Sequence, residues 1–105
     1  MTLNDNAPAI TAREVYQLLK DVALGTRTLR SNGSTNGNGH VAVAIDGWQL
    51  TLFIEGDVLR HCEHCISPEG RSATVETWQR YGTDPVALLS GWEHQQWVQL
   101  IKPLR

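Results

Sequence analysis

The chain has 105 residues, 41% of them hydrophobic and 19% charged, with a formal net charge of −2 and a pI of about 6.0. That length fits one core, because two would each fall near the size at which a core becomes marginal. No apolar run approaches the roughly 20 residues that span a bilayer, and Lys and Arg are scattered rather than gathered into a phosphate-binding stripe, which argues against membrane and nucleic-acid partners.

Residues 1–9 are small and polar and read as a flexible arm, with residues 10–105 as a single α+β domain. The N-terminus carries neither the basic nor the apolar stretch of an export signal, so the cytoplasm is the expected location. The first element starts at Thr11, where Thr11-Ala12-Arg13-Glu14 forms a capping box: the Thr hydroxyl accepts the Glu14 amide hydrogen and the carboxylate reaches back. Val15, Leu18, Leu19, Val22 and Ala23 recur at helical spacing and Gly25 supplies the C-terminal stop, predicting an amphipathic helix over residues 12–24.

From Ser31 to Gly39 the sequence is Gly, Asn, Ser and Thr only, with nothing to bury, and is expected to be a mobile loop. Its glycines lack the Lys-Ser/Thr ending of a phosphate-binding loop, so a plain linker is the better reading. Val41, Val43 and Ile45 then alternate with small residues, Asp46-Gly47 intervenes, and Trp48, Leu50, Leu52 and Ile54 alternate again. Asp-Gly between two period-2 runs is a strong hairpin signal. A two-residue turn pairs Ile45 with Trp48, Val43 with Leu50 and Val41 with Leu52, on one face. Gly56-Asp57 turns the chain into a third strand, Val58 to Cys62. The expectation is a three-stranded antiparallel meander.

Pro68-Glu69-Gly70 marks a turn. Ser72 or Thr74 is placed to cap a short helix through Val75, Trp78 and Tyr81 that stops at Gly82, and Asp84-Pro85 to start another through Val86, Leu88 and Leu89. Ser90-Gly91-Trp92-Glu93 is a second capping box, and the helix after it carries Trp97, Leu100 and Ile101 until Pro103. Two or three short C-terminal helices are therefore expected on one face of the sheet.

The chemistry-bearing residues cluster at His61-Cys62-Glu63-His64-Cys65. Cys-x-x-Cys is half of a zinc site, and completing it needs two ligands from His61, His64, His40 or His94, or the same pair from a second copy in a homodimer. The same pair could serve as a redox dithiol, although no helix start is placed to lower a thiolate pKa. The third reading, preferred here, is that the cysteines pack as small apolar groups at a strand end. No nucleophile elbow, HExxH pair or paired-carboxylate arrangement is present, so enzymatic activity is not expected. Of the four tryptophans, Trp48 and Trp97 fall on core faces, while Trp92, in the first turn of the last helix, is the better partner-facing anchor. Arg27 and Arg30 form a small basic pair that could join such a contact.

The stretch from Ile10 to Arg27, Ile45-Asp-Gly-Trp-Gln-Leu-Thr51, the Cys62 and Cys65 pair followed by Ser67-Pro68-Glu69-Gly70-Arg71, and Asp84-Pro85 with Leu88-Leu89 resemble a family of small uncharacterised bacterial proteins, a domain of unknown function. The resemblance implies a bacterial cytosolic protein and carries over no catalytic residue. The resulting expectation is a non-enzymatic domain with a protein partner, a small regulator or inhibitor of a larger bacterial or phage-related complex. The competing expectation is a zinc-binding or thiol-redox domain centred on Cys62 and Cys65.

Overall fold

The computed structural model describes residues 10–31, 39–56, 58–80 and 84–104. The expected N-terminal arm, the body of the glycine-rich loop at 32–38, and the expected helix end at Tyr81 and Gly82 lie outside the described residues.

Helix α1 covers Ala12–Leu24, with both arms of the Thr11/Glu14 capping box formed and Gly25 closing the last turn in the left-handed conformation. Five strands follow: β1 (Leu29–Ser31), β2 (His40–Ile45), β3 (Trp48–Glu55), β4 (Val58–Ile66) and β5 (Ser72–Thr74). Helix α2 (Val75–Arg80), a 3₁₀ turn at Val86–Leu88, helix α3 (Gly91–Ile101) and a 3₁₀ turn at Lys102–Leu104 complete the chain.

The strands form one antiparallel sheet in the order β1-β2-β3-β4-β5. This corrects the expected three-stranded meander. The β2–β3 register matches expectation, with Ile45 opposite Trp48, Val43 opposite Leu50 and Val41 opposite Leu52. Asp46 and Gly47 both adopt positive φ, 48° and 88°, as the twist-matched two-residue turn requires. The two extra strands are edge strands of three residues each. Leu29, Arg30 and Ser31 pair with Ile45, Ala44 and Val43, and Ser72, Ala73 and Thr74 pair with Ile66, Cys65 and His64. Ser72 and Thr74, expected as helix caps, are thus strand residues leading into α2.

Strand β4 runs four residues past Cys62. Its register against β3 shifts twice: Ile54 faces Leu59 while Phe53 faces His61, and Leu52 faces Cys62 while Thr51 faces His64. Arg60 and Glu63 are the residues skipped, so each is the extra residue of a bulge. As a result Leu59, Cys62 and Cys65, three apart, all point to the same side.

That side carries the core. Val41, Val43, Ile45, Leu50, Leu52, Ile54, Leu59, Cys62, Cys65 and Ala73 are buried there together with Val15, Leu18, Leu19 and Val22 of α1, Trp78 of α2, and Trp97 and Ile101 of α3. Two indoles tie the helical layer together: the Trp97 ring N–H donates to the Leu19 carbonyl at 2.9 Å, and that of Trp78 to the Ile10 carbonyl at 3.1 Å. Each buried indole thus satisfies its one donor. Ser90 and Glu93 form the second capping box, with Glu93 itself buried. At Asp84 the carboxylate accepts from the Val86 amide at 2.9 Å, but the turn it starts is 3₁₀ rather than α-helical.

Candidate functional site

The sheet has two unlike faces. None of the described side chains on the outward face joins the core cluster or packs against it. By strand alternation and the observed register, that face presents Arg30, His40, Ala42, Ala44, Gln49, Thr51, Phe53, Glu55, Val58, His61, His64, Ile66, Ser72 and Thr74. Its charges lie at the periphery and the bulges: Arg30 on the edge strand, Glu63 at one bulge, and Glu55 at the end of β3 with Arg60 3.3 Å from it at the other; between them lie small, aromatic and imidazole side chains.

One row crosses three strands: His40 opposite Phe53, and Phe53 opposite His61. The His40 and Phe53 rings are 5.3 Å apart and tilted, and those of Phe53 and His61 are stacked at 5.0 Å. The Glu63 bulge delivers a carboxylate to the same place. Its Oε1 lies 2.8 Å from His61 Nε2 and 3.7 Å from His40 Nε2. The hydrogen bond with His61, reinforced by both imidazoles, holds the Glu63 carboxyl below its ordinary value of 4.5. The hairpin register already implies the pairing of His40 with Phe53. Glu63 could not be placed from the sequence, because its position depends on the bulge.

The four residues of the expected metal site divide between the faces. Cys62 and Cys65 point into the core and are fully buried free thiols, whereas His61 and His64 point outward. The neighbouring histidines could have turned towards the thiols only if the strand ended at Cys62, and it does not. Among the described residues no group of three Cys, His, Asp or Glu side chains stands ready to hold a metal ion. Burial pushes the Cys62 thiol well above its ordinary range, with the nearby Cys65 adding to the effect, and its Sγ lies 3.3 Å from the His64 carbonyl. Cys65 is pushed up to about 12 by burial and by the Glu14 charge, against an opposing contribution from Arg71. Thiols held protonated and out of solvent are poor nucleophiles and poor exchange partners.

The expected partner-contact residues lie on separate elements. Arg27 follows α1 and is engaged within the fold, its Nε 3.0 Å from Asp21 Oδ2 and its Nη1 3.3 Å from Asp46 Oδ2. Arg30 is exposed on edge strand β1. Trp92 is the most exposed large hydrophobic residue described, at 53%, in the first turn of α3. A shallow cleft of about 200 Å³ opens between α1 and Trp48, lined by Glu14, Gln17, Leu18 and Arg27. Its charged groups already serve the fold. Glu14 accepts from the Thr11 amide and from Arg71, which together hold its carboxyl below 4.5, and the Arg71 guanidinium lies 6.0 Å from the centre of the Trp48 ring.

These features define a class: an α+β domain with a single antiparallel sheet, one face closed by helices and the other open. The chain belongs to the family described as Domain of unknown function (DUF7693), whose model matches residues 9–103. Comparison with curated proteins and with solved structures gives no match. None of the described helices is long and apolar enough to cross a membrane.

Proposed function

We propose that this domain is a non-catalytic binding module that docks a protein partner on the open face of its sheet, as a small regulator or inhibitor of a larger bacterial or phage-related assembly. The observation that carries this reading is the outward face itself: five strands with alternating side chains, small, aromatic and imidazole in the middle, with the charges of Arg30, Glu55, Arg60 and Glu63 at the periphery and the bulges. Protein-docking surfaces are depleted in charge and enriched in aromatic residues at their centre, whereas a nucleic-acid surface needs a run of cations, and here Arg30 and the Glu55-paired Arg60 are set far apart at the margins. Arg30 stands at its edge, and Trp92 supplies a separate anchor on the helical side. A reducing bacterial cytoplasm suits two cysteines kept as free thiols.

The test is site-specific photo-crosslinking in the native host with the probe at Thr51, at the centre of the face. A discrete adduct that disappears when Ala42→Glu or Ala44→Glu places a charge beside the probe supports the reading, provided the variants melt like the parent. No adduct from Thr51, or one indifferent to both substitutions, overturns it.

A further inference from the structure

We propose that the partner docking on the open face presents an arginine, its guanidinium paired with the Glu63 carboxylate and layered on the His61 ring. This rests on the docking reading and names the chemistry that the partner carries.

Charge balance sets the sign. On this face Glu55 and Arg60 already pair with each other, at 3.3 Å. Glu63 differs: its described ion pairs run to His61 and His40, at 2.8 Å and 3.7 Å, and none of them to a lysine or arginine. Its carboxyl is held below 4.5, so it is ionised at neutral pH, where imidazole is only a part-time cation. In the free protein the side chain is 41% exposed and keeps water of its own. A partner laid over the face strips that water, and a desolvated carboxylate without a permanent countercharge is costly. The cation must therefore come from the partner. The contacts described for Glu63 all use Oε1, which leaves Oε2 as the acceptor for an incoming N–H.

The neighbouring rings favour arginine over lysine. Phe53 and His61 are stacked at 5.0 Å with an interplanar angle of 24°, and His40 tilts against Phe53 at 5.3 Å. His61 is thus the outer member of the row. Edge strand β5 follows β4 only over His64–Ile66, so no described strand lies beside His61 on that side. A planar guanidinium can add a layer to the stack there while its fork of donors reaches the carboxylate 2.8 Å from the His61 ring nitrogen. A lysine ammonium, a strongly hydrated point charge, gains nothing comparable from the ring.

Titration of the full chain with blocked Gly-Arg-Gly, Gly-Lys-Gly and Gly-citrulline-Gly peptides, read by NMR at Glu63, His61 and Phe53, tests this directly. The arginine peptide should give saturable shifts, the lysine peptide should bind several-fold more weakly, and the citrulline peptide, which keeps the shape and loses the charge, should not bind. Glu63→Gln should weaken arginine binding at least about tenfold, as the loss of a hydrogen bond between charged groups implies. His61→Ala should erase the preference for arginine over lysine and His61→Phe should restore it, whereas Glu55→Gln should bind like the parent. The proposal is overturned if the arginine peptide gives no saturable shift, if lysine or citrulline matches it, or if its binding survives Glu63→Gln. Any of these results alongside an intact Thr51 adduct leaves docking in place with a partner of other chemistry; docking itself fails only with that adduct.

Discussion

Replacing Gly39 with alanine offers a quantitative check on the β2–β3 junction. Gly39 has φ +90°, and a Cβ there would sit 2.5 Å from the Ile54 carbonyl oxygen and 3.3 Å from Phe53 Cε1. The left-handed conformation alone costs an ordinary residue about 1–2 kcal/mol. The carbonyl cannot simply retreat, because the Ile54 amide donates to the Gly39 carbonyl at 2.8 Å, and releasing that bond forfeits about 1 kcal/mol more. Gly25, at φ +83° with nothing within 4 Å of its added Cβ, serves as the control. Gly25→Ala should cost about 1–2 kcal/mol, for conformation only, and Gly39→Ala about 2–4 kcal/mol, within the range of well-defined single-site damage. Urea denaturation followed by tryptophan fluorescence measures both, and with about 4–8 °C per kcal/mol expected for a domain of this size, melting separates them clearly. Equal losses for the two variants would falsify the steric argument.

The thiols should resist labelling: Cys62 and Cys65 are expected to react with an aromatic disulfide reagent only once denaturant opens the core, and rapid modification of native protein at neutral pH would contradict their burial. Acid should weaken the fold in a defined sense. Glu14 and Glu63 both have folded values below 4.5, so their contribution is fully present above pH 4.5 and drains away as pH falls through those lower values. Glu14→Gln should therefore differ from the parent at neutral pH and converge on it as pH falls below the folded value of Glu14, whereas a gap that persists once the carboxyl is protonated would point to a cause other than charge. Trp92→Ala should change stability by less than about 0.5 kcal/mol, as an exposed side chain that carries no core packing, and a larger loss in calorimetry would show that the indole is part of the fold.

The elements legible in the sequence were those with local signals of their own. Thr11/Glu14 and Ser90/Glu93 announce α1 and α3 because a capping box is a short-range hydrogen-bond pattern, and Asp46-Gly47 sets the hairpin because its twist admits one register. The edge strands β1 and β5 carry no such signal. Three residues cannot show a period, and Leu29–Ser31 and Ser72–Thr74 are strands only because β2 and β4 offer them partners. In β4 the bulges at Arg60 and Glu63 convert the two-residue alternation into a spacing of three. For this reason Leu59, Cys62 and Cys65 do not read as one buried face, and the Cys-x-x-Cys spacing resembles a ligand pair set on a turn. The outward row of His40, Phe53 and His61 follows from register alone; the arrival of Glu63 does not.

The bulges also make β4 unevenly tolerant of changes in chain length. Arg60 and Glu63 have no opposite number on β3, so a variant lacking either one would still send Leu59, Cys62 and Cys65 inward and His61 and His64 outward. Loss of His61 or His64 would be absorbed in the same way, Arg60 or Glu63 taking the vacant outward place while Leu59, Cys62 and Cys65 stay inward. Insertions and deletions among natural homologues should therefore gather at these two bulges, where the strand already carries a spare residue.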